Sequence, residues 1–201
     1  MGIFETLGTR AIINASGAST RVGGALMLPE VVAAMSEAAL ESVSMMELQG
    51  AASRFISEIT GAEAGYVTAG AASGLTLGTA AILAGMDPSQ MERLPETSGM
   101  KNEFIISREH RNGYDHSIRL AGAKLIEIGM NEQLSGAGVR RTESWEYEAA
   151  ITHDTAGIAY VQNRTSQPPL DEVVRIARVH KLPVLVDAAA ELPPVSNLRV
   201  F

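Results

Sequence analysis

Four short apolar runs, 103–107, 124–128, 158–161 and 183–186, alternate with segments of helical periodicity, and nothing else constrains the fold of this chain as tightly. Each is apolar nearly throughout rather than at every second position, the pattern of a strand buried on both faces. Such strands separated by helices predict an α/β domain with a mostly parallel sheet sandwiched by helices. The spacing predicts a helix opening at Pro29, whose missing N–H costs nothing in a first turn, with Val31, Val32, Met35, Ala38 and Ala39 as its apolar face. Further helices are predicted over 47–59, 71–84, 114–121, 143–151 and 170–180, and further short strands at 11–13 and 64–68. Segment 87–101, polar and carrying two prolines, and the Gly-containing stretch 131–141 read as loops. Residues 1–28 read as an N-terminal arm and 29–201 as one large domain, incomplete at its C-terminal end.

Composition narrows the function classes. A chain with 46% hydrophobic and 19% charged residues is an ordinary globular protein. A net charge of −7 argues against a broad nucleic-acid surface, which needs clustered Lys and Arg. The absence of cysteine excludes disulfides and thiolate metal centres. The N-terminus lacks the basic start and long apolar run of a secretion signal, and no apolar run approaches the ~18–20 residues that span a bilayer. A cytoplasmic location is expected.

Two segments carry the chemistry. Val67-Thr68-Ala69-Gly70-Ala71-Ala72-Ser73-Gly74 reads as a strand turning through small residues into a helix. Backbone N–H groups there can approach an anion closely, and a helix N-terminus favours negative charge; a plain tight turn explains the same residues. No Walker lysine and no complete Gly-x-Gly-x-x-Gly is present, so a nucleotide is not indicated. Far downstream, Asp187 ends an apolar strand, at the edge where open α/β sheets bind ligands. An acid there can bind a metal, accept from a helix N-terminus, or hold a protonated ring nitrogen; the phosphate-type turn favours the third, and with it pyridoxal phosphate. His110 follows the run 103–107, where it can stack on an aromatic cofactor, relay protons or simply face solvent. Ser166 and Gln167, with Asn163, lie in the loop after 158–161, on the same sheet edge. Asn14, Ser16, Thr20 and Arg21 form a polar cluster in a Gly-rich loop; Arg21 is a candidate clamp for a carboxylate or phosphate, and simple solvation explains the cluster equally well. The spacing of the histidines gives no metal site.

Taken together, the stretches Ile13-Asn14-Ala15-Ser16-Gly17, Glu47-Leu48-Gln49, Thr60-Gly61-Ala62-Glu63-Ala64, Thr68-Ala69-Gly70-Ala71-Ala72, His110-Arg111-Asn112, Tyr114-Asp115-His116 and Val186-Asp187-Ala188 resemble the selenocysteine synthase-like family, often labelled L-seryl-tRNA(Sec) selenium transferase-like. These are pyridoxal phosphate enzymes of the aspartate aminotransferase fold. The resemblance covers nearly the whole chain. It implies that Ala71, Ala72 and Ser73 hold the cofactor phosphate, that His110 stacks on the pyridine ring, that Asp187 pairs with its nitrogen and Ala189 lines the opposite face, and that Gln167 or Ser166 lies near the ring hydroxyl. The loop of Asn14, Ser16 and Arg21 is the candidate substrate-binding segment.

The resemblance also implies a Schiff-base lysine beyond the strand of Asp187 and a small C-terminal domain. The lysines here are Lys101, Lys124 and Lys181, and none follows Asp187. The expectation is therefore a cofactor-binding large domain lacking its lysine segment. The acidic charge and the start close to the core favour the family's shorter members, such as D-glucosaminate-6-phosphate ammonia lyase. The implied activity is α,β-elimination from a small anionic amino acid with ammonia release, by a homo-oligomer. The rivals are β-replacement of the selenium transferase type on a tRNA, disfavoured by charge, and a non-catalytic homologue acting by association.

Overall fold

The computed structural model describes residues 2–17, 19–130 and 141–200, so most of the loop read at 131–141 lies outside the described residues. The chain divides into two units, Met1–Leu48 and Gln49–Phe201, the first extending past the arm expected at 1–28.

The first unit contains α1 (Ile3–Thr6), a 3-10 turn at Thr20–Val22, α2 (Pro29–Ala38) and the start of α3 (Met45–Thr60). Pro29 takes the first helical position of α2 as expected, and no residue of α2 is buried. Segment 11–13 forms no strand.

The second unit is built on four parallel strands, β1 (Glu103–Ser107), β2 (Lys124–Ile128), β3 (Thr155–Val161) and β4 (Val184–Asp187), in the order β2-β1-β3-β4. The expected parallel, helix-covered sheet is thus observed. Alternate residues of β1 serve opposite faces. Phe104 and Ile106 join Leu83, Ile118, Ala121 and Ala159 under α4 (Ala71–Ala84) and α6 (His116–Leu120). Ile105 joins Tyr147, Ile158, Tyr160, Val173 and Ile176 under α7 (Ser144–Ala150) and α8 (Leu170–Val179). Burial on both faces is why these strands read as continuous apolar runs.

Three expectations are altered by particular contacts. Segment 87–101 is not all loop: Asp87 accepts the Ser89 N–H at 2.9 Å and Pro88 occupies the first turn of α5 (Pro88–Arg93), a cap-and-proline start whose signals are all in the sequence. Segment 64–68 joins no strand ladder. Instead the Gln49 carboxamide takes a strand's place, accepting the Val67 N–H at 3.1 Å and donating to its carbonyl at 2.8 Å. The helix expected over 114–121 is split into a 3-10 turn at Gly113–Asp115 and α6.

Candidate cofactor site

Because all four strands run parallel, the loops after them share one edge of the sheet, and Val161 at the end of β3 joins residues at the ends of β1, β3 and β4. Its N–H faces His110 Nδ1 at 3.5 Å, its carbonyl accepts from Ser166 Oγ at 2.8 Å, and in the ladder it stands beside Asp187. The Asp187 carbonyl in turn accepts the Gln162 N–H at 2.8 Å. Three of the residues expected to act together are therefore brought together.

Asp187 is half-buried, and its Oδ1 accepts the Ala189 N–H at 3.1 Å, which orients the carboxylate and places exposed Ala189 beside it. A cavity of about 10 Å³ is lined by Asp187, Asn112, Asp115 and Leu75, so the acid borders the same space as the second turn of α4.

The turn into α4 has the geometry of an anion cradle. Gly70 precedes the helix at φ 121°, a conformation L side chains rarely adopt, and nothing lies within 4 Å of where its Cβ would be. No side chain caps this N-terminus among the described residues, leaving the first-turn N–H groups, among them those of Ala71, Ala72 and Ser73, available to an anion. The turn is held over the sheet by close packing: a Cβ on Gly78 of α4 would lie 3.0 Å from Leu185 Cδ1 of β4. Thr76 Oγ1 donates to the Ser117 carbonyl at 3.1 Å, tying α4 to α6.

His110 does not face solvent. Only 3% exposed, it sits edge-on to Tyr160, and its Nε2 is buried without a hydrogen-bond partner among the described residues. Burial pushes its pKa down to about 4, against the raising influence of Glu109 and with help from Arg141, so the imidazole is neutral at pH 7. Ser166 Oγ is engaged on both sides, accepting the Asn163 N–H at 3.0 Å and donating to Val161. Gln167 is exposed, with no side-chain partner among the described residues. Asn14, Ser16 and Arg21 belong to the first unit. Asn14 donates to the carbonyls of Gly17 and Gly24 at 2.8 and 3.0 Å and accepts the Ser16 N–H at 2.8 Å, so it staples its own loop; Arg21 is exposed.

Sequence reading did not single out the charged lattice under His110. Asp115, with a 5% exposed side chain, accepts from Arg111 at 2.5 Å and from Arg119 at 3.4 Å, while Arg111 and Arg108 also pair with Glu127. Burial raises the Asp115 pKa, but the two guanidiniums outweigh it and hold the carboxyl below its usual range. Tyr160 was also passed over; its hydroxyl donates to the Pro168 carbonyl at 2.9 Å. Helical i,i+4 spacing of Arg111, Asp115 and Arg119 was the signal available for the first.

The lysines stand elsewhere. Lys101 precedes β1, Lys124 begins β2 and Lys181 precedes β4, all at the opposite edge of the parallel sheet. A five-residue strand spans roughly 16 Å.

No family model matches the chain. It is 34% identical over 94% of its length to a 5'-C-glycyluridine monooxygenase-decarboxylase of a Streptomyces species, spanning 48% of that protein. It is 32% identical, again over 94%, to D-glucosaminate-6-phosphate ammonia lyase of Salmonella typhimurium, spanning 51% of it. The chain thus spans about half the length of the curated relatives it matches. Its fold matches a solved D-glucosaminate-6-phosphate ammonia-lyase with TM-score 0.88 and 31% identity, covering 99% of this chain and 53% of that one. An aspartate aminotransferase from Thermotoga maritima shares the fold alone, at TM-score 0.51 and 17% identity over 92% of this chain and 48% of the other. The ammonia-lyase side of the expected resemblance is borne out; the selenium-transferase side rests on the sequence resemblance.

Proposed function

From a chain homologous to D-glucosaminate-6-phosphate ammonia lyase and folded like the aspartate aminotransferases, we propose the cofactor-binding half of a pyridoxal phosphate-dependent lyase. The observation that carries this reading is the convergence of an uncapped helix N-terminus, an oriented carboxylate and a buried neutral histidine at one sheet edge. The residues fit the group: the Gly70 cradle admits a phosphate, Asp187 suits a protonated ring nitrogen, and Ala188 to Ala190 leave room for a flat ring.

When bound, pyridoxal phosphate supplies an electron-withdrawing ring that acidifies the α-hydrogen of an attached amino acid. The chain's own residues prepare that chemistry. The N–H groups of Ala71, Ala72 and Ser73 bind the phosphate. Asp187, negatively charged, holds a proton at the ring nitrogen by raising its pKa. His110 packs against the ring without adding charge and keeps water from that face. Gln167, rather than the occupied Ser166, is the side chain available to a ring hydroxyl.

The proposed outcome is expulsion of a β-substituent from a small anionic amino acid, with a keto acid and ammonia as products. Lys101, Lys124 and Lys181 lie at the opposite edge of the sheet, so none of them is a candidate to contact a cofactor held at this site. Association into a homo-oligomer fits the exposure of Ile13 (97%) and Leu26 (96%) in the first unit. A second reading has a specific basis: the 34% identity to a monooxygenase-decarboxylase points to carbon–carbon cleavage on the same scaffold.

The test is an assay of holoenzyme containing this chain with phosphorylated or carboxylated amino acids. Ammonia and keto acid released without oxygen uptake support the lyase. Carbon dioxide released with oxygen uptake replaces it by the second reading.

A further inference from the structure

We propose that Arg141 is a positioning residue that locks the loop after β3 to the end of β1, holding Ser166 and Gln167 in register with His110. The inference rests on the cofactor-site reading for its purpose, though not for its geometry. Arg141 reaches two separate segments: its Nε donates to the Glu109 carboxylate and its Nη2 to the Thr165 carbonyl at 2.8 Å.

Both ends of this bridge are anchored. On the β1 side, the other Glu109 oxygen accepts the Thr142 N–H at 3.0 Å, and the carboxylate side chain is only 18% exposed. The hydroxyls of Ser107 and Thr142 lie 2.7 Å apart and buried, while Ser107 Oγ also accepts the Glu109 N–H at 3.2 Å. Residues 141 and 142 are thereby laced to the segment that carries His110. On the β3 side, Thr165 belongs to a closed turn in which Asn163 Oδ1 accepts its N–H at 2.9 Å and its hydroxyl at 2.8 Å, and Ser166 Oγ accepts the Asn163 N–H at 3.0 Å. The turn is hydrogen-bonded within itself, and the Arg141–Thr165 bond joins its tip to 107–109.

Arginine suits the task because its planar fork sends two donors in fixed, different directions, here to a carboxylate and a carbonyl. Lysine, a compact ammonium on a flexible stem, satisfies one partner at a time. Glu109 is equally required, since it fixes the guanidinium from the β1 side.

The experiment is amide hydrogen exchange on the whole chain, paired with titration by pyridoxal 5'-phosphate. In Arg141→Gln, exchange at Asn163, Thr165 and Ser166 is expected to rise about tenfold while the amides of β1 and β3 stay unchanged. Arg141→Lys is expected to fall between. Glu109→Gln should reproduce the loosening, and the double variant should add nothing further, because the two residues act in series. Pyridoxal phosphate affinity should drop about fivefold in Arg141→Gln, with the lysine variant partly restoring it. Unchanged exchange at the turn, additive effects of the two substitutions, or a loosened turn with undiminished affinity overturns the proposal. If the unsubstituted chain binds no pyridoxal phosphate, the cofactor reading falls, and the exchange data still decide whether Arg141 locks the turn.

Discussion

The imidazole of His110 stands edge-on to the ring of Tyr160, centroids 4.5 Å apart and planes at 77°. Edge-to-face contact directs the positive rim of one ring at the negative face of the other and fixes both. Tyr160 is itself pinned through its hydroxyl to Pro168, so β1, β3 and the loop after β3 are joined through two rings.

That burial gives His110 a pH signature. The unfolded chain takes up the proton near pH 6.5, the folded chain only near pH 4, so between these values the unfolded state binds more protons. The stability contribution is full above pH 6.5 and is lost as pH falls toward 4, by on the order of 3 kcal/mol. Urea unfolding of wild type and His110→Gln across this window should show a steeper decline in the wild type. Parallel curves would contradict a neutral, buried His110.

Gly70→Ala isolates backbone conformation, since an added Cβ meets nothing within 4 Å yet φ is 121°. The cost should be about 1–3 kcal/mol in chemical denaturation. Phosphate-containing ligands should lose affinity because the first-turn N–H groups of α4 shift. A neutral effect on both would show that the cradle tolerates another conformation.

Gly78 makes the opposite test, of space alone. A Cβ there lies 3.0 Å from the tip of Leu185, a flexible side chain, and the helix favours Ala over Gly by about 1 kcal/mol. Gly78→Ala should therefore be near neutral in thermal unfolding. Gly78→Val overfills the α4–β4 contact and should cost about 1–3 kcal/mol. Equal behaviour of the two would mean that α4 does not press on β4.

The charged lattice should respond asymmetrically. Arg111→Met leaves the buried Asp115 carboxylate with Arg119 at 3.4 Å, whereas Asp115→Asn leaves Arg111 paired with Glu127. The first should cost about 2 kcal/mol or more, reduced from a fully buried pair by the partial exposure of Arg111, and the second less. The depressed Asp115 pKa means this contribution is present above the usual aspartate range and fades as pH falls below it. Denaturation midpoints of the two variants at pH 7 and pH 3 check both points.

The sheet was legible because its strands are short runs rich in apolar residues, buried on both faces in β1 and partly covered in the edge strand β2, so that 103–107 and 124–128 coincide with the observed strands to the residue. Segment 64–68 read as a strand because Ala64, Tyr66 and Val67 have that character, but its partner is the carboxamide of Gln49, which no periodicity reveals. Asp187 was visible as an acid out of place for packing, and the Gly70 turn as small residues opening a helix. The Arg141 bridge was not, because its partners, Glu109 and Thr165, stand 32 and 24 residues away in sequence. Long-range polar contacts leave no local pattern, and the helix proline at 88 was masked by the polar composition around it.

The proposed function places pyridoxal phosphate at the C-terminal edge of the sheet, its phosphate on α4 and its ring nitrogen on Asp187. The most direct measurement is residue-resolved amide NMR during titration with pyridoxal 5'-phosphate. Shifts are expected at Ala71, Ala72, Ser73, Val161 and Ala189, with affinity weakened about tenfold by Asp187→Asn and with Asn102, Lys124 and Lys181 at the far edge unmoved. Shifts confined to that far edge, or an affinity indifferent to Asp187, would contradict this placement.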